Sequence, residues 1–389
     1  MEDLRALAKQ FYNEGNLHEA IRYADALLHP SSTDAMLWHI RGSSHRLLNN
    51  NALALADLTK CLNLIPKEAR VLLYRSEVYF DLGQYKEALA DMKKAKSLNK
   101  KMLDSDDYLL LGKILCKLDD RSGACRAFEE TVKLDPNCHE AWHLLTRIFF
   151  CLKKHKSVID AASKAIELKP NDDVALELRG RVYRLENRFD EAFKDLARAV
   201  NIATLKKSTR VWALWKEIGF AAVEADDYHD AFAHLSHAIN LAPSEEGDLF
   251  FWRGMSSYQL GVSHYPSAIE DMQRALVLTP KNERIKKELA KVIQASQYNT
   301  PPSRLEPGMK SFVSSAASAP AMHDVFPPPT PSAPPNDEYQ PVSYDASWCS
   351  WHRPVSSRTN IQSNQSSKSD DSDISNRRTF RPGSPVIEL

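Results

Sequence analysis

The chain has little glycine, little cysteine and no net charge. Its 389 residues include only 12 glycines, and these form neither a phosphate-cradling Gly-rich loop nor a Gly-x-Ser-x-Gly nucleophile turn. Nucleotide chemistry and serine-nucleophile chemistry are thereby disfavoured, and no catalytic residue is expected. Among the 6 cysteines, Cys61, Cys116, Cys125 and Cys151 follow no metal or disulfide spacing. Small, partly buried thiols in a reducing compartment are expected. Lys plus Arg number 51 and Asp plus Glu number 51. No bulk charge draws the chain to nucleic acid or to an anionic membrane. No apolar run is long enough to span a bilayer. Glu2 and Asp3 open the chain with no apolar run behind them, so no secretory signal is expected. A cytoplasmic protein, or a nuclear one, follows as the expectation.

What is present is a repeat. A bulky residue opens each block, a small one follows four later, another small one lies about a dozen further on, and Pro stands near the end. Trp38, Gly42, Ala54 and Pro66 fit; so do Tyr108, Gly112, Leu115, Ala124, Phe128 and Pro136. Trp142, Phe149, Ala165 and Pro170 follow, then Trp215, Gly219, Ala231, Ala238 and Pro243. Eight blocks start near Met1, Ala35, Ala69, Ser105, His139, Asp173, Trp212 and Gly247. Two extra residues fall near Leu103, about five around 207–211, and a small insertion at 262–265. Within a block the apolar residues recur once per helical turn. A proline cannot continue a helix and restricts the residue before it, so Pro66, Pro136, Pro170, Pro243 and Pro280 should end second helices. Ser32, Lys100 and Thr204 stand in that place in blocks one, three and six.

This pattern resembles the tetratricopeptide repeat, a helix–turn–helix unit of about 34 residues. The resemblance covers about residues 2 to 281. It implies an all-α superhelical solenoid of about eight repeats, closed by a capping helix over 282–297 with Ile285, Leu289, Val292 and Ile293 on one face. Residues 1–298 are read as this solenoid and 299–389 as a second kind of chain. The resemblance also implies a concave groove, lined by the first helix of each repeat, that binds a peptide segment of a partner. Lys113, Arg147 and Arg181 hold equivalent positions in repeats four to six, with Lys117 and Arg184 three or four residues on. With Glu177 as the main neighbouring acid, this ladder is expected to attract an acidic peptide. The clamp by which one subclass holds chaperone tails is altered here: Lys9 and Ile40 replace its asparagines and Tyr74 a basic residue. A protein-interaction scaffold or adaptor is therefore the first reading. A co-chaperone for heat-shock protein tails, or a substrate-targeting subunit of an enzyme complex, are the alternatives.

After Gln297 the composition changes. Fourteen of the 21 prolines and eighteen serines lie from Pro301 onward, and helical periodicity ends. Such a segment cannot bury enough surface to offset chain entropy, so disorder is expected. Phe326-Pro327-Pro328-Pro329, continuing to Pro331, resembles an EVH1-domain ligand. Pro331-Ser332-Ala333-Pro334 resembles a late-domain tetrapeptide, and the terminal Leu389 a PDZ ligand. His139 with His143, and His234 with His237, have a spacing that can hold a metal. Neither pair has a carboxylate or further cysteine at a matching offset. They are read as groove or surface histidines, with no metal and no cofactor expected.

Overall fold

The computed structural model describes residues 2–302. In chain order its helices are α1 (Glu2–Asn13), α2 (Leu17–Asp25), α3 (Ala35–Leu47), α4 (Asn51–Leu64), α5 (Ala69–Asp81), α6 (Tyr85–Leu98), α7 (Ser105–Lys117), α8 (Arg121–Leu134), α9 (His139–Cys151), α10 (His155–Leu168), α11 (Asp173–Leu185), α12 (Phe189–Leu205), α13 (Val211–Glu224), α14 (Tyr228–Leu241), α15 (Gly247–Gln259), α16 (Tyr265–Leu278) and α17 (Glu283–Tyr298). All regular structure among the described residues is helical, so the chain is all-α. The tail motifs from Phe326 to Pro334, and Leu389, lie outside the described residues. Among the described residues no helix is long and apolar enough to cross a membrane.

Local chemistry sets the boundaries. Several first helices start behind an acidic cap: Asp34, Asp104 and Asp172 each accept from backbone amides of the first turn. Asp104 and Asp107 complete a reciprocal capping box. The turn to the second helix carries one residue at positive φ: Gly15, Asn49, Gly83, Asp119, Lys153, Asn187, Asp226 and Gly261. Successive members are one repeat period apart, or one residue more at Gly261, except for the larger offsets of two residues at Asp119 and five at Asp226. Those offsets are the two larger insertions expected from the sequence. Gly and Asn suit this conformation; Lys153 occupies it at a cost.

The second helices stop before their prolines, at Leu64, Leu134, Leu168, Leu241 and Leu278. Where Thr204 replaces proline, α12 runs on to Leu205 and is 17 residues long against 14 for most of its counterparts. The overrun of α12 thus ends before the place where the insertion was read, residues 206–210 form the turn, and the next helix starts at Val211. The other insertions form short 3₁₀ turns, Lys100–Met102 and Val262–His264.

The described residues divide into two units, one ending at Leu134 and the other beginning at Asp135. In the first, α1 to α8 pair as four helical hairpins. Ala20, Ala54, Ala88 and Ala124 are fully buried where paired helices cross, with Leu58, Met92 and Phe128 one turn on. The small residue of the first helix accommodates that larger side chain. A Cβ placed on Gly112 would lie 2.3 Å from a Phe128 ring carbon. In the second unit α9 to α16 pair likewise, and α17 covers the last pair with Ile285, Leu289, Val292 and Ala295. Trp252, Phe251 and Tyr265 fill the core beneath it.

One device recurs that the sequence reading missed. Arg41, Arg75, Arg179 and Arg253 each donate two hydrogen bonds to an aspartate of the paired helix: Asp57, Asp91, Asp195 and Asp271, at 2.6–2.9 Å. Both partners are largely buried, and the planar guanidinium fixes distance and direction together.

Candidate functional site

In the second unit the first helices α9, α11 and α13 pack in succession. Along α11, Glu177, Arg181 and Arg184 are four and three residues apart, so they share one face. All three are buried. Arg181 pairs with Glu177 at 3.6 Å and with Glu217 at 3.4 Å. Arg184, whose side chain is 0% exposed, pairs with Glu217 at 3.3 Å and Glu224 at 2.8 Å. Arg210 donates to Glu177 and lies 3.6 Å from Asp173. The Arg181 guanidinium also stacks 4.8 Å from the Phe150 ring centre.

This arrangement corrects one expectation. Acids other than Glu177 were thought sparse, but α13 brings Glu217 and Glu224 against the arginines. Arg147 is buried on α9. Lys113 and Lys117 are half-buried on α7, in the other unit, with the Lys117 ammonium 6.0 Å from the Tyr85 ring. Of the five expected cations, the structure joins Arg181 and Arg184 through their shared Glu217.

Burial pushes the Glu177 carboxyl up to about 7; Arg210 and Arg181 oppose this, while Glu217 and Asp173 add to it. For Glu217 burial acts upward too, but Arg181, Arg184 and Lys216 outweigh it and hold the carboxyl below its ordinary range. A pH dependence follows. The unfolded glutamate titrates near pH 4.3, below the folded value. Stabilisation from Glu177 protonation is complete below the unfolded value and is lost as pH rises through about 7. The wild-type denaturation midpoint should therefore fall between pH 5 and 8 more steeply than that of Glu177→Gln, by on the order of 3 kcal/mol across the window. Parallel slopes for the two proteins would contradict this.

The first unit holds a different cluster, missed from sequence because its members come from three repeats. The His39 imidazole lies between Tyr12 and Tyr74, with ring centres 6.3 and 5.8 Å away. Arg46 lies 4.3 Å above Tyr74 and pairs with Glu77. Burial, helped by Arg46 and Arg70, lowers His39 to about 4, so it is neutral at pH 7. Burial likewise raises Tyr12 to about 12.

The two histidine pairs separate in character. Trp215 stacks on both His234 and His237, at 5.3 and 4.9 Å. His139 and His143, one turn apart on α9, instead meet a carboxylate. Asp172, which caps α11, lies 2.9 Å from His139 Nε2 and 2.7 Å from His143 Nδ1 through the same oxygen, Oδ2. Its Oδ1 accepts from the Ala175 amide at 3.0 Å. Burial acts to raise this carboxyl, but the bonds from both imidazoles and the amide hold it well below the usual carboxylate range. This corrects the expectation that no carboxylate matches the pair: Asp172, at the start of the next repeat, supplies one.

These helical hairpins define a class of repeat scaffold that offers extended surfaces to other proteins. The chain is a tetratricopeptide-repeat protein, and the family model for that repeat matches residues 69–102. The chain is 26% identical over 194 residues to the BBSome complex member BBS4 homolog of Drosophila melanogaster, covering 50% of this chain and 39% of that protein. It is 23% identical over 216 residues to DnaJ homolog subfamily C member 3 of Bos taurus, covering 50% and 42%. The chain thus spans less than half the length of these relatives. Among solved structures, YrrB, a TPR protein with an unusual peptide-binding site, is 23% identical with a TM-score of 0.41, covering 44% of this chain and 88% of that one.

Proposed function

We propose that the chain is an adaptor whose α9–α11–α13 face holds an acidic segment of a partner protein. Arg147 and Arg181 are the contact residues in this reading, Arg184 lies behind them and holds Glu217 and Glu224 in place, and Lys113 and Lys117 supply a second cationic surface in the other unit. Residues from 299 onward recruit a further protein through Phe326 to Pro334 or Leu389. The observation that carries the reading is the alternating buried charge on α11 and α13. Such ions cost desolvation and are weak as stabilisers, so a recognition role accounts for them better than a structural one. Glu177 adds a means of exchange: when it takes up a proton, a partner carboxylate can replace it beside Arg181 and Arg210. Membership of a multi-protein assembly accords with the similarity to a BBSome complex member. The similarity to a DnaJ homolog favours a second reading, a co-chaperone, which the replaced clamp asparagines oppose.

The test compares the full chain with Arg147→Gln/Arg181→Gln by affinity purification from the native cell type. Partner-derived peptides are then titrated. Binding of acidic peptides should weaken at least tenfold, a loss of about 1.4 kcal/mol. A variant with an unchanged melting curve and unchanged partners would refute the reading.

A further inference from the structure

We propose that His139, His143 and Asp172 form a binding site for a divalent transition metal of the zinc class. Two imidazole nitrogens and one carboxylate oxygen already converge, and these atoms all lie within 4.8 Å of one another. Zinc takes nitrogen and carboxylate oxygen ligands at about 2.0–2.2 Å in a tetrahedron. Ligand atoms in such a site are about 3.3–3.5 Å apart. The two nitrogens now stand 2.9 and 2.7 Å from Asp172 Oδ2. Moving Oδ2 out by about half an ångström and bringing the two nitrogens, which lie within 4.8 Å of each other, to about 3.4 Å by side-chain rotation admits the ion at tetrahedral spacing.

The backbone supports this placement. One turn of α9 sets both histidines on one face, and the cap position fixes Asp172 opposite them. Asp172 uses Oδ1 to cap α11 and presents Oδ2 to the histidines, so it can ligate without releasing the helix. A ligating carboxylate held by a hydrogen bond to its other oxygen is the usual second-layer support. Access is graded: the Asp172 side chain is 4% exposed, that of His143 17% and that of His139 28%. An ion can arrive from the His139 side. Three protein ligands leave a fourth position for water or an outside donor. The nitrogen-rich set favours zinc, cobalt or nickel over magnesium or calcium, which prefer oxygen.

The test uses the full chain after chelator treatment, titrated with Co²⁺ and followed by visible absorption, with Zn²⁺ as competitor. Because the chain has 13 histidines, the decisive comparison is with Asp172→Asn and His143→Ala. Asparagine still caps a helix, so the first variant should retain its fold, as circular dichroism will show. His139→Gln, at the most exposed of the three, replaces any variant that fails to fold. The expected result is one saturable Co²⁺ site in the wild type, displaced by Zn²⁺ and weakened at least tenfold in each folded variant. Absence of a saturable site, or equal affinity in a folded variant, would overturn the proposal and leave the trio as a hydrogen-bonded cap.

Discussion

Arg184→Met should destabilise the second unit by about 3–5 kcal/mol, among the largest effects of any single change in this chain. The side chain is fully buried and its guanidinium serves two carboxylates on α13, Glu217 and Glu224. Glu217 keeps Arg181 when Arg184 is removed. Glu224 loses a guanidinium at 2.8 Å, so most of the penalty falls there. Arg184→Met/Glu224→Leu should recover much of the loss, because a buried pair replaced by apolar groups of similar volume is often neutral. In a stacked array each repeat meets mainly its neighbours, so the damage should be local. Hydrogen exchange should accelerate in α11 and α13 well before the first unit is affected. A cost below about 1 kcal/mol would mean that water reaches this network and that the buried-ion argument fails.

Phe128→Ala should cost a similar amount, about 3–5 kcal/mol, because the ring is fully buried and its loss opens a cavity. Its partner gives a sharper test. Gly112→Ala gains about 1 kcal/mol in helix propensity, but its methyl would stand 2.3 Å from the Phe128 ring. Overpacking of that kind costs about 1–3 kcal/mol, so the clash should win. Once the ring is gone, the same methyl enters the cavity. In the Phe128→Ala background Gly112→Ala should therefore stabilise, and the double-mutant cycle should show coupling of about 1–3 kcal/mol. Additive losses in denaturation midpoints would show that the two helices can move apart.

The fold was legible because its signals are local. Helices begin at Ala35, Ala69, Ser105, His139, Asp173 and Gly247, where the blocks were read to begin. The second helices stop just before their prolines, and α12 overruns where Thr204 stands instead. The sites were legible only by halves. Arg181 and Arg184 were picked out on one helix, but Glu217 and Glu224 reach Arg184 from 33 and 40 residues away. Asp172 meets His139 across 33 residues and His143 across 29. Such offsets carry meaning only once one repeat is known to lie on the next. The Arg–Asp forks were within reach of the sequence. An arginine before the small residue, followed by aspartate 16 residues on, is a readable signature.

That fork also acts as a gauge of length. Its two hydrogen bonds close at a separation of 16 residues in three repeats and 18 in the last. The spare residues there are looped out as the 3₁₀ turn Val262–His264, beside Gly261 at φ 108°. What the hairpin tolerates is thus decided by where residues are added, not by how many. Inside a helix, one extra residue would swing the aspartate away by about 100°. At the bend, several can be added while the two helices keep their alignment, which leaves the bends as the places where this protein can gain new sequence without losing its shape.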